Sequence, residues 1–100
     1  MAIIKQPYPF DPQDQLDFEW EFQFASGDTD AVASYSLEPD AGLLVVADSL
    51  DGNIVTGWIK VDPDNLPADL SVLGVTCHME GSTTPPRKMD ATILLQIRRR

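Results

Sequence analysis

Cysteine is nearly missing from this chain: Cys77 is the only one among 100 residues. No disulfide can close within the chain, which excludes a stapled secreted scaffold. Histidine is equally scarce, with His78 alone. Long apolar runs are missing too, and nothing approaches the ~20 consecutive apolar residues that span a bilayer. The opening MAIIKQPYPF carries one Lys and a short apolar run broken by Gln6 and Pro7, so it does not read as a signal peptide. The expectation is a soluble chain made in a cytoplasm, with no membrane partner. Basic residues are few, seven against sixteen acidic, for a formal charge of −9. Phosphate backbones would be repelled, so nucleic acid is not an expected partner.

What is present is apolar alternation. In LDFEWEFQF, Leu16, Phe18, Trp20, Phe22 and Phe24 fall on one side, and Asp17, Glu19, Glu21 and Gln23 on the other. Period 2 is the signature of a half-buried strand. Large side chains in such a row belong on the inner face of a two-layer domain, leaving the carboxylates outside. Further alternating or β-rich runs follow at AVASYSL, LLVVA, NIVTGWIKV, LSVLGVTCHM and MDATILLQI, with turn clusters between them. The phase of AVASYSL groups Ala31, Ala33, Tyr35 and Leu37. The last run sets Met89, Ala91, Ile93, Leu95 and Ile97 on one face. Six strands at this spacing, with no segment of helical period, predict an all-β sandwich. A seventh strand is available from the segment near Ile3.

Residues 1–14 read as an extended arm ahead of a domain at 15–100. Pro7, Pro9 and Pro12 fix φ and hold the residues before them extended. Ile3, Ile4, Tyr8 and Phe10 are apolar, so the arm needs a surface, on its own domain or on a neighbour. With the six-strand core taken as complete without them, these four residues are the expected partner contacts. A chain lacking residues 1–11 is then expected to stay folded and fail to assemble. Five of the seven basic residues lie in the last fourteen positions, and Arg98, Arg99 and Arg100 form a second expected contact by charge.

No reaction centre emerges. The row Asp17, Glu19, Glu21 lies on a strand face with ~6.8 Å between neighbours, without the apolar pocket that raises the pKa of a catalytic carboxyl. The acidic loops DSLDGN and DPDNLPAD lack calcium-loop spacing and are rich in turn formers. Cys77 and His78 are adjacent, so a strand sends them to opposite faces and they cannot share a metal. Cys77 falls in phase with Leu73, Val75 and Met79 as a small buried hydrophobe. The reading is no enzyme, no metal and no cofactor. Trp20 belongs to the apolar row, whereas Trp58 either caps the core or stands at an interface.

One grouping of motifs runs along nearly the whole chain from Asp14. Leu16 to Trp20 opens it, followed by Gly27 to Thr29, AVASYSL, Gly42-Leu43 and Trp58, then Val75 to His78, Arg87 and Ile97-Arg98. This series resembles small immunoglobulin-like virion proteins of tailed phages, of the fibre-to-tail adaptor, neck or decoration type. The resemblance implies an immunoglobulin-like β-sandwich of six to seven strands in the virion, present in multiple copies in a symmetric assembly. It implies docking to other tail, neck or fibre components. The chain departs from the pattern at DPDNLPAD and TPPRKMD, loops at the sandwich ends where a partner would sit. A head decoration protein and a phage-encoded inhibitor of a host protein are the competing expectations.

Overall fold

A computed structural model of the chain describes residues 7–22 and 31–99. Ile3, Ile4, Phe24 and Arg100, named above, lie outside the described residues. Among the described residues, seven strands run in chain order: β1 (Tyr8–Phe10), β2 (Gln15–Glu21), β3 (Val32–Pro39), β4 (Leu43–Asp51), β5 (Ile54–Val61), β6 (Val72–Gly81) and β7 (Lys88–Ile97). There is no helix among the described residues. A four-stranded sheet in the order β1-β7-β6-β3 stands beside a three-stranded sheet β2-β5-β4. The two share one core, to which Phe10, Trp20, Leu43, Ile59, Met79 and Leu95 all contribute. All pairings are antiparallel except β1 with β7.

The β2 register is the one the alternation predicts. Trp20 and Phe22 are buried, Leu16 and Phe18 half-buried, and Asp17, Glu19 and Glu21 exposed. Trp20 needs room that β5 provides by omission. A Cβ on Gly57 would lie 2.8 Å from Leu37 Cδ1 and 3.0 Å from Trp20 Cζ3, so only glycine lets the indole and Leu37 close over that strand. The β6 and β7 faces also match. Val75, Cys77, Met79, Leu95 and Ile97 are buried, and Leu73, Met89, Ala91 and Ile93 pack against them.

Two β-bulges interrupt the alternation, and in β3 Tyr35 and Leu37 face the core as expected whereas Ala31 and Ala33 do not. Val32 pairs with Gly81 and Ser34 with Glu80, leaving Ala33 as an extra residue. The extra residue inverts the alternation, so Val32 is buried while Ala31 and Ala33 are exposed. In β4 the register shifts between Val45 and Ala47, and the extra residue Val46 is 44% exposed. LLVVA therefore opens a strand that runs on through DSLD to Asp51. Gly52, with φ 64°, and Asn53 close the β4–β5 hairpin; positive φ at the first loop position suits glycine. Asn53 also anchors the end of β2, its O accepting from Phe22 N at 2.7 Å and its Nδ2 donating to Phe22 O at 3.1 Å.

A seventh strand comes from the arm at Tyr8–Phe10; the segment near Ile3, where one was expected, lies outside the described residues. Tyr8 pairs with Leu95 and Phe10 with Ile97, and Arg98 N donates to Phe10 O at 3.0 Å. Phe10 is fully buried. The core is thus incomplete without the arm's last residues, and Phe10 is a core residue, not a free partner contact.

Candidate functional site

The turn after β1 is built by its own carboxylates. Asp11 N donates to Asp14 Oδ2 at 3.0 Å, Gln13 N to Asp11 Oδ1 at 2.8 Å, and Asp14 N to Asp11 O at 2.9 Å. Asp/Asn side chains that bond backbone a few residues on make compact turns, and Pro12 supplies a fixed φ. The chain thereby crosses from the four-stranded sheet to the three-stranded one. Beside this turn, β7 runs out. Arg98 Nε donates to Gln96 Oε1 at 3.0 Å, and Arg99 N donates to Asp69 Oδ1 at 3.3 Å. A shallow surface groove results, lined by Tyr8, Pro9, Asp11, Asp14, Leu16 and Arg98. Arg99 borders Asp11, Pro12 and Gln13 just beyond it.

Of the residues expected to meet a partner, the structure therefore brings Tyr8, Arg98 and Arg99 to one corner. Tyr8 is 49% exposed and stacks edge-on against Phe18, with ring centroids 5.4 Å apart. That contact sets the ring's direction while leaving its outer half to solvent. Phe10, one alternation further, tilts against the same Phe18 at 6.2 Å but from inside the core. The groove offers an aromatic ring, one guanidinium group and two carboxylates on a solvent-open surface, an arrangement suited to holding a polypeptide. Comparison with known protein families, curated proteins and solved structures finds no match. The corner is thus described by its own geometry alone.

A second cluster lies on the outer face of the four-stranded sheet. His78 sits opposite Asp90 on β7 and diagonal to Glu38 on β3. Its Nδ1 is 2.8 Å from Asp90 Oδ1 and its Nε2 is 3.3 Å from Glu38 Oε1. The bond to Asp90 raises the imidazole pKa most, and the bond to Glu38 adds to it. Neither partner is near His78 in the sequence. The two real partners come from strands 12 and 40 residues away, and only the pairing register discloses them. Nearby, Thr76 and Thr92 share a hydroxyl bond of 2.7 Å. A doubly bonded imidazole on an open sheet face cross-links three strands, beside a shallow depression lined by Ser36, Glu80 and Lys88.

Cys77 points the other way, fully buried. Burial, with Asp90's charge adding to it, pushes its thiol up to about 11, so it stays protonated and unreactive at neutral pH. Asp40 is another carboxylate with a structural task. Its Oδ2 accepts from Gly74 N at 2.7 Å while its backbone N donates to Gly74 O at 2.9 Å. This pins the β3–β4 crossing to β6, with Gly42 at φ 103° making the turn. In DPDNLPAD, Asp62 Oδ1 accepts from Asp64 N at 2.9 Å, the turn chemistry expected of that loop. Trp58 is 40% exposed on the outer face of β5, so it does not cap the core.

Proposed function

We propose that this chain is a non-enzymatic structural protein of a tailed-phage virion, an adaptor that docks tail-fibre or neck components onto the head–tail assembly. The observation that carries the reading is the corner where β1 and β7 end. There Tyr8 and Arg98 stand exposed along one groove and Arg99 just beyond it, with the first and last described segments side by side. A module that links other proteins needs rigid anchorage and an accessible contact surface, and this corner combines the two. The strand order supports the immunoglobulin-like part of the reading. Counting the strands A to G in chain order, β2-β5-β4 is B-E-D and β7-β6-β3 is G-F-C, as in constant-type immunoglobulin sandwiches. Strand A differs by pairing with G. The resemblance motifs fall on strands accordingly, with Leu16 to Trp20 on B, Trp58 on E and Val75 to His78 on F.

Multiple copies in a symmetric assembly, partnered by other virion proteins, follow from the resemblance and belong to the same proposal. The test is mass spectrometry of gradient-purified particles of the phage that encodes the chain. Stoichiometric recovery in the particle is expected. Recovery only in the host lysate, bound to a host protein, overturns the proposal in favour of the inhibitor. Within the particle, Tyr8→Ala combined with Arg98→Ala should stop incorporation while the isolated domain stays folded.

A further inference from the structure

The two outer sheet faces differ in what they offer. The four-stranded sheet shows Thr76, His78 and Thr92, already bonded to neighbours, with Val72 and Leu94 exposed beyond them. The three-stranded sheet shows Trp58, on its central strand and 40% exposed between fully buried Ile59 and buried Gly57. In the pairing register Trp58 has Ala47 directly opposite on β4 and Asp17 directly opposite on β2. One row across the sheet therefore reads alanine, tryptophan, aspartate. Strands lie ~4.8 Å apart, so the indole has a low methyl floor on one side and a carboxylate on the other. Glu19 follows Asp17 along β2, and Leu44 and Val46 stand exposed on the alanine side.

We infer that this row is a binding site for an arginine or lysine side chain presented by an extended segment of a basic partner protein. The stem of such a side chain lies along Ala47 and against Val46, its cation rests on the Trp58 ring, and Asp17 with Glu19 neutralises it. Aromatic faces attract cations, guanidinium most often, and long basic side chains cover apolar surface with their stems while leaving the charge free. A small residue opposite the tryptophan leaves the approach open; a larger one at position 47 would fill it. The chain's own cation on this face, Lys60, is displaced along β5 and set between Leu44 and Gln15. Among the described residues it makes no ion pair. The formal charge of −9 favours a basic partner at longer range. This inference deepens the adaptor reading and rests on it.

The test uses the full chain labelled with ¹⁵N and a blocked nonapeptide of alternating Thr and Val with arginine at positions 4 and 6. Its counterpart with citrulline replacing arginine keeps the shape without the charge. Binding of the arginine peptide should shift the Trp58 indole N–H and the Ala47 and Asp17 amides. The citrulline peptide should bind at least fivefold more weakly, as should the arginine peptide to Trp58→Thr or Asp17→Asn. Equal binding of the two peptides, shifts centred on Asp62 and Asp64, or binding that survives Trp58→Thr would overturn the assignment. So would a sedimenting mass that rises with concentration and falls back in Trp58→Thr, because the face would then receive a second copy of the chain. Presence in virions without Trp58 shifts defeats only this site; absence from virions with the shifts intact defeats only the adaptor reading.

Discussion

Phe10→Ala distinguishes a structural β1 from an arm that merely visits the domain. Phe10 is fully buried, its strand pairs with β7, and its carbonyl accepts from Arg98 N at 3.0 Å. Truncating a buried phenylalanine costs about 3–5 kcal/mol, out of the roughly 5–15 kcal/mol that holds a domain together. At about 4 °C per kcal/mol for a domain of this size, the melting temperature should fall by roughly 12–20 °C. Tyr8→Ala is the internal control. Its ring is 49% exposed and contributes chiefly an edge-on contact to Phe18, so ~0.5–1.5 kcal/mol, or roughly 2–6 °C, is expected. Thermal melts followed by far-UV circular dichroism give both numbers, and urea titration with an unchanged m-value would show that the denatured state is not the cause. A Phe10→Ala protein melting within ~2 °C of the parent would refute the placement of β1 in the core. The same reasoning revises the truncation. Removing residues 1–11 takes Phe10 away and should destabilise the domain, whereas removing residues 1–6 leaves the described core whole.

Three further outcomes are expected. His78 titrates above its ordinary value of 6.5 because Asp90 and then Glu38 accept hydrogen bonds from its charged ring; its stabilising effect is therefore complete below pH 6.5 and lost as pH rises through the raised folded pKa. His78→Gln should flatten the melting curve's pH dependence in that window, and an NMR-titrated pKa at or below 6.5 would contradict the geometry. Cys77, fully buried with its thiol pushed up to about 11, should ignore a thiol-specific disulfide reagent in the native chain and react on unfolding; fast native labelling would place it on the surface instead. Gly57→Ala must displace either Leu37 or the Trp20 indole, an overpacking cost of about 1–3 kcal/mol, measured by urea unfolding and refuted by an unchanged midpoint.

The inner faces of β2, β6 and β7 were legible because each is an unbroken alternation of long apolar side chains, which burial alone can fix. In β3 the phase was legible at Tyr35 and Leu37 but not at Ala31 and Ala33, and in β4 it was not legible. Ala33 and Val46 are extra residues that reverse the alternation, and no apolar pattern marks a bulge when the residues around it are alanine, serine or valine. Phe10 was hidden differently. Prolines on either side of Tyr8 made the segment read as an extended arm outside the core, and only its parallel pairing with Leu95–Ile97 reveals a strand. For the sites, residue types were visible but their company was not. His78 with Asp90 and Glu38, and Ala47 with Trp58 and Asp17, are juxtapositions across strands. Register decides them, and register depends on the bulges. The corner of Tyr8, Arg98 and Arg99 was nearest to legible, since arm and tail were each singled out, though nothing in the spacing places them side by side.

The parallel pairing of β1 with β7 has a mechanical consequence. The chain enters at Pro7 heading one way along β7 and leaves at Arg98 heading the same way. Tension applied between these two points pulls the strands past each other along their length. The rungs between Tyr8–Phe10 and Leu95–Ile97 then yield together under shear, rather than one after another as in an unzipping hairpin, and Phe10 must leave the core in the same step. A tether strung through these two points would meet its greatest resistance before the rest of the domain has begun to stretch.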